Sequence, residues 1–407
     1  MKKTFTIRQR QVLTLCALMY TAAYVCRLNL SAALLSIMEA MNLSMARGGM
    51  LQTVFAVIYA AGQFVNGAIV DRVNPQRHIL LGLAGSAACN LTMGLCRSYP
   101  ALVAVWSLNA AFQSMMWTPV MRLIAMHFLD GASRERANTT ISFMLIGGHF
   151  AAWAVSGFVS AAAGWRLSFI VPAIAAFAVC AAMLPAIRTL DAKQPETKTR
   201  TQQEKHDPAM RSLLSTGFFL VLISCVLYGF IRDSVVTWTP TILAGISGGS
   251  GISSAAFTLI LPAINVFGVM LGSVFSRRGT KAHGVVGMMM AAAILCSAAM
   301  LRAGNMLLTA VLLGMICAAM YGANPALTGL IPLEYDRIGK TSLTAGMIDS
   351  FIYLGSALAG VFGGGIFDAM GAHTLYGSWI IAGALAAALM LLAMRMSSAY
   401  WKRNNLS

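Results

Sequence analysis

Arg188-Thr-Leu-Asp191-Ala-Lys193-Gln-Pro195-Glu196-Thr-Lys198-Thr-Arg200-Thr-Gln-Gln203-Glu204-Lys205-His-Asp207-Pro-Ala-Met-Arg211 is the longest polar stretch in this 407-residue chain, and it separates two long series of apolar runs. Those runs, broken only by short polar turns, predict helices over 11–36, 49–70, 78–97, 100–127, 139–162 and 166–187 before it. After it they predict helices over 213–240, 253–276, 283–302, 305–330, 341–367 and 374–396. A bilayer core about 30 Å thick takes roughly 20 apolar residues per helix, and only helices or closed barrels satisfy their backbone in lipid. The reading is an all-α membrane protein with twelve transmembrane helices in two six-helix bundles. Residues 1–187 form the first bundle, 188–212 a cytoplasmic linker and 213–407 the second bundle.

Composition agrees. Hydrophobic residues make up 58% of the chain and charged residues 10%, with a mean hydropathy of +0.73, values that a soluble globular chain does not reach. The net charge of +16 would suggest nucleic acid in a soluble protein, but its placement gives another meaning. With the N-terminus inside, the outer loops hold only Arg47, Arg97, Arg166 and Arg302 and the spans only Arg27, Arg122 and Arg232. All the rest of the 29 Lys and Arg residues fall on the inner side. That asymmetry sets both termini in the cytoplasm of a bacterial inner membrane, with membrane lipid as a partner and no nucleic acid. The first apolar run follows a basic N-terminus and is too long for a signal-peptide core, so it reads as a retained span.

Enzyme classes find no support. No nucleophile, base and oxyanion group converge, and no Gly-rich loop follows a strand to cradle nucleotide phosphates. The eight cysteines lie in apolar runs without close metal-ligand spacing, so neither metal nor cofactor is expected. The chain reads as a monomer acting on a small anionic substrate.

The anion follows from arginine. An ionisable group at membrane depth is costly unless it faces a partner or a wet cavity. Arg27 lies mid-span in the first helix, within Tyr24-x-x-Arg27, and Arg232 lies well inside the seventh, within Tyr228-x-x-x-Arg232. A guanidinium stays charged and offers a planar fork that fits phosphate or carboxylate. One in each bundle makes a site that is complete only when both bundles close on an anion. Asp233 follows Arg232 directly, but adjacent residues on a helix point about 100° apart, so it is not expected to neutralise that arginine. Arg122, near the cytoplasmic end of the fourth helix, reads as structural. Tyr24, Trp117, His149, Tyr228, Tyr321 and Asn324 are further candidates for lining the pocket, and Asp349, deep in the eleventh helix, is a candidate proton carrier.

The turn after the second helix, Gly67-Ala-Ile-Val-Asp71-Arg72-Val-Asn-Pro75-Gln-Arg77, has a partial echo after the eighth, Gly272-Ser-Val-Phe-Ser276-Arg277-Arg278-Gly279. Its carboxylate beside basic residues reads as a gate, with Gly67, Asp71, Arg72, Arg77 and Arg136 as gating residues. This turn resembles the signature of the major facilitator superfamily, so the resemblance implies the major facilitator fold.

Further segments resemble one branch of it, the organophosphate:phosphate antiporters that carry glycerol phosphate and hexose phosphates. They include Tyr20-Thr-Ala-Ala-Tyr24-Val-Cys-Arg27-Leu-Asn29, Gln113-Ser-Met-Met-Trp117-Thr-Pro119-Val-Met-Arg122 and Arg134-Glu-Arg136. Gly164-Trp165-Arg166, Arg232-Asp-Ser-Val-Val-Thr-Trp238-Thr-Pro240 and Gly346-Met-Ile-Asp349-Ser-Phe-Ile-Tyr353-Leu-Gly355 continue the likeness. It implies that Arg27 and Arg232 hold a phosphoryl group, that Tyr20 lines the same cavity, and that a phosphate ester is exchanged for inorganic phosphate by alternating access.

The departures are as specific. Leu28 stands where those carriers have a second basic residue, and Gln63, which the resemblance implies lines the pocket, stands where they have a lysine. Gly147 stands where they have a histidine, with His149 two residues on, and their helix-eight acid is missing near Asn265. Fewer cations leave other organic anions open, along with two alternatives: a proton-coupled carboxylate symporter and a transport-like anion sensor.

Overall fold

A computed structural model describes residues 5–69, 73–128, 131–191, 215–246, 257, 260–335 and 341–404. Local chemistry sets the helix ends. The first helix, α1 (Ile7–Met41), opens on Thr6, whose hydroxyl accepts from the Gln9 N–H while the Gln9 side chain takes the Thr6 N–H. This reciprocal cap fills donors that the first turn leaves without helical partners. The helix closes on Asn42 in the left-handed region, φ 52°, and α2 (Met45–Ile69) turns back beside it. In α3 (Pro75–Leu95) the Asn74 side chain accepts from the Arg77 N–H, and Pro75 occupies the first turn, where no N–H is needed.

The expected helix over 100–127 is two helices, α4 (Tyr99–Ser114) and α5 (Trp117–His127), parted at Met115 and Met116. Pro119 gives the reason: its ring collides with the carbonyl four residues back, at Met115, and it brings no N–H to bond there. Next come α6 (Gly131–Ala163) and α7 (Leu167–Asp191). Beyond the linker are α8 (Phe218–Ile246), α9 (Ile260–Arg277), α10 (Ala282–Met300) and α11 (Met306–Pro325). A π-turn (Ala326–Leu330) and the short α12 (Ile331–Glu334) follow Pro325.

The two helices expected over 341–367 and 374–396 run on as α13 (Thr341–Arg403), bent at Gly371, whose φ of 76° and ψ of 178° break the helical path. A side chain there would be strained, so glycine marks the corner. Among the described residues, seven helices are long and apolar enough to cross a membrane, including α1, α3, α8 and α10.

Lipid offers no drive to bring apolar helices together, so small and polar residues do much of that work. Between α1, α3 and α4 lies a buried amide cluster. Asn29 donates to the Asn90 side chain at 2.7 Å, and Asn90 and Asn109 both donate to the Cys26 carbonyl, at 2.9 and 3.2 Å. Gln113 donates to the Ala23 carbonyl and to Ser86, and Ser86 donates to Asn109. Asn29 also reaches the Ser168 carbonyl on α7.

Across the two parts of the chain, α2 packs on α13 and α1 meets α8. Gly49 and Gly360 let α2 and α13 approach backbone to backbone, since a Cβ on either would fall on the other's carbonyl. Thr53 donates to the Ala357 carbonyl at 2.5 Å and accepts from the Val361 N–H at 3.0 Å. Ser31 donates to the Val236 carbonyl at 2.7 Å. At the start of α2, the Asp368 carboxylate accepts from the Met45 and Ala46 N–H groups, both at 2.8 Å. These hydrogen bonds lie between mid-helix and the Met41–Met45 turn.

Candidate functional site

Below that seam lies a cavity of about 1090 Å³, lined by residues of α1, α2, α4, α5, α8, α9, α11 and α13. Its charged residues, among those described, are Arg27, Arg232, Asp233 and Asp349. The expected candidates Tyr20, Tyr24, Gln63, Trp117, Tyr321 and Asn324 line it as well.

Arg27 projects from α1 into a collar of rings. Its Cζ sits 4.9 Å from the Phe55 centroid, 4.7 Å from Tyr59 and 5.8 Å from Tyr353. Phe55 and Tyr59 are one helical turn apart on α2, stacked at 5.8 Å, and Tyr353 comes from α13 to within 4.7 Å of Tyr59. Ring faces attract a cation and hold the guanidinium in place without neutralising it. No described carboxylate comes within ion-pair distance of Arg27.

Arg232 is in a different state. Its Nε and Nη2 donate to the two Asp233 oxygens at 2.9 and 3.0 Å, and the Ser356 hydroxyl donates to the same carboxylate. This corrects the expectation that Asp233 stands clear of its neighbour. The helix is unbroken here; the arginine stem is long enough to swing its head around the helix to the next side chain. The two arginines share a boundary nonetheless, because the Tyr353 centroid is 6.0 Å from the Arg232 Cζ as well.

Gln63, standing where the resembled carriers have lysine, joins the collar to α5: it donates to the Tyr59 hydroxyl at 2.7 Å and accepts from Thr118 at 3.1 Å. Tyr20 stacks with Tyr24 at 6.0 Å and meets Trp117 edge-on at 5.7 Å. Asp349 lines the cavity within electrostatic reach of both arginines and forms no ion pair with a described residue.

Tyr228 does not face the cavity. It is fully buried behind it, donating to the Met320 carbonyl at 2.9 Å and to Asn324 at 3.3 Å, so it holds Asn324 in position. Arg122 donates to the Val73 carbonyl of the turn after α2, at 2.9 Å, in line with its structural reading. Arg77 is exposed at the start of α3. Asp71 and Arg72 lie outside the described residues, as do the surroundings of Gly67 and the side chains of Arg136 and His149.

Sequence reading missed Tyr59, Phe55 and Tyr353 as neighbours of Arg27. A signal was present: Tyr59 precedes Gln63 by four residues and Tyr353 follows Asp349 by four, so each shares a helix face with a residue already singled out.

Residues 15–342 match the family described as Major Facilitator Superfamily. A probable sulfoacetate transporter of Cupriavidus necator is 28% identical over 291 residues, which is 68% of this chain and 66%, just under two thirds, of that relative. A glycerol-3-phosphate transporter of Bacillus subtilis is 24% identical over 374 residues, 86% of this chain and 84% of its own. In fold, the chain is similar to a bacterial homologue of the human lysosomal transporter Spinster in an inward-facing, unoccupied conformation. The TM-score is 0.73 at 18% identity, covering 99% of this chain and 98% of that one.

Proposed function

The chain belongs to the Major Facilitator Superfamily, and from that premise we propose that it is a secondary active transporter of a small organic anion. Twelve spans in two six-helix bundles, with both termini cytoplasmic, rock about the central cavity and expose it to each side in turn. The observation that carries the cargo class is Arg27: a guanidinium held by rings at the edge of the cavity, with no described carboxylate paired to it. A phosphoryl, sulfonyl or carboxyl group supplies the oxygens that this fork lacks. The names of the relatives, sulfoacetate and glycerol 3-phosphate carriers, support an oxyanion cargo.

The first reading is exchange of a phosphate ester for inorganic phosphate, with Arg232 as the second pole of the site and the Asp71–Arg77 turn as cytoplasmic gate. In proteoliposomes, preloaded inorganic phosphate should then accelerate uptake of labelled glycerol 3-phosphate. Uptake indifferent to internal phosphate removes exchange.

Two observations favour a second reading, proton-coupled symport: Asp233 already neutralises Arg232, and Asp349 lines the cavity without an ion-pair partner among the described residues. Symport shows as uptake driven by an inward proton gradient with empty liposomes and lost in Asp349→Asn. A carrier whose uptake ignores the gradient excludes it.

A further inference from the structure

The two arginines of the cavity are not equivalent. Arg232 has its Nε and Nη2 edge, one of the two edges by which a guanidinium grips an oxyanion with parallel bonds, filled by the Asp233 carboxylate at 2.9 and 3.0 Å. That carboxylate also accepts from Ser356 on α13, on the same oxygen that takes the Nη2 donation, so it is held by two helices rather than resting loosely on one. Both partners of the pair line the cavity. Arg27 has aromatic faces around it and no described carboxylate.

A cargo carrying two negative charges would set the second one against Arg232. There it would meet a guanidinium already neutralised, and would either lie against the Asp233 carboxylate or expel it from its hydrogen bonds and leave it unpaired in a cavity that already holds Asp349. Leaving a charged group without its partner is costly. A cargo with a single acidic group meets no such obstacle: its anion takes Arg27, and its uncharged end lies toward Asn324, Tyr321 and Gln63.

We infer that Asp233 is a resident counter-ion that limits the cargo to one negative charge, standing where the second anionic group of a dianion would sit. The inference rests on the organic-anion reading and sharpens it. For a phosphate ester the form accepted is the singly ionised one; for sulfonates and carboxylates it is a molecule with one acidic group.

The test uses two probes on one two-carbon skeleton, isethionate with a sulfonate alone and sulfoacetate with a sulfonate and a carboxylate. Their affinities are measured by calorimetry on the full chain in lipid nanodiscs near pH 7.5. The wild type should bind isethionate at least tenfold more tightly than sulfoacetate, a comparison that needs no variant. Asp233→Asn frees the Arg232 fork and should raise sulfoacetate affinity at least tenfold, with isethionate changing less than threefold. Asp233→Glu should keep the wild-type order. If Asp233→Asn does not fold, Ser356→Ala, which loosens the same carboxylate, should raise sulfoacetate affinity at least threefold.

Sulfoacetate bound as tightly as isethionate by the wild type, or both weakened alike by Asp233→Asn, overturns the counter-ion role. If that sulfoacetate binding is lost in Arg27→Gln, the anion reading survives alone. Binding of neither probe to wild type or variants overturns both.

Discussion

Arg232 turns its guanidinium onto the carboxylate of the next residue, Asp233, and the pair is closed by the Ser356 hydroxyl from α13. Arg232→Gln therefore strands a carboxylate, and Asp233→Asn strands a guanidinium. Losing the partner of a buried polar group costs about 1–3 kcal/mol, more for a charge. Each single change should lower the melting temperature of the purified protein by several degrees. The double change to Gln and Asn, which leaves a neutral pair, should lower it by less than the sum; additive losses would mean that the two groups are not coupled.

The amide cluster at Asn29, Asn90 and Asn109 makes a separate prediction about stability. Asn90→Leu removes the acceptor of the Asn29 amide and two donations to backbone carbonyls, leaving buried polar groups unsatisfied. A loss of about 1–3 kcal/mol is expected, read as a lower melting temperature, while cargo affinity of the folded fraction stays unchanged because none of these side chains lines the cavity. A variant that melts like the wild type would show that apolar packing alone joins α1, α3 and α4.

At the Met41–Met45 turn, Asp368 brings a negative charge and two acceptors to the start of α2, where unpaired N–H groups and the helix dipole favour both. Capping contacts of this kind contribute about 0.5–2 kcal/mol. Asp368→Ala should shift the balance of carrier states toward opening on that side by roughly 2- to 30-fold. In a background without native cysteines, a reporter cysteine at Gln52 should react faster with a membrane-impermeant maleimide added from that side. Unchanged labelling would mean that the contact does not hold the seam.

The aromatic collar predicts a graded series. Tyr59→Phe keeps the ring against Arg27 but removes the hydroxyl that accepts from Gln63, whereas Tyr59→Leu removes both. A cation–ring contact contributes about 0.5–2 kcal/mol, so cargo affinity should fall roughly 2- to 30-fold in Tyr59→Leu and clearly less in Tyr59→Phe. Equal losses in the two would assign the effect to the hydroxyl.

Much of this was legible in the amino-acid sequence because lipid imposes simple rules. Span length pointed to the helical fold and the cost of charge at depth to Arg27 and Asp349, which line the cavity, while Gln63 came from its place in the family resemblance. What stayed hidden depends on side-chain reach and on partners far apart in the chain. Helix periodicity separates Arg232 from Asp233 by about 100°, yet a flexible three-carbon stem closes that angle. Pro119 announced the break at Met115, and Gly371 a corner, but an apolar run averages over both. Tyr353 lies more than 300 positions from Arg27, so nothing local could pair them, and Tyr228 looked like a cavity residue because sequence gives depth in the membrane but not which side of α8 faces in.

The central claim, that the open cation at Arg27 holds the cargo's acidic group, is tested most directly by anion-dependent thermal stabilisation of wild type, Arg27→Lys and Arg27→Gln. Isethionate, sulfoacetate, glycerol 3-phosphate and inorganic phosphate serve as probes, since a ligand of the folded state raises its melting point. At least one anion should stabilise the wild type. Arg27→Lys, which keeps charge but loses the planar fork and its ring contacts, should weaken that binding at least tenfold, and Arg27→Gln should abolish it. Anion stabilisation that persists undiminished in Arg27→Gln would contradict the account.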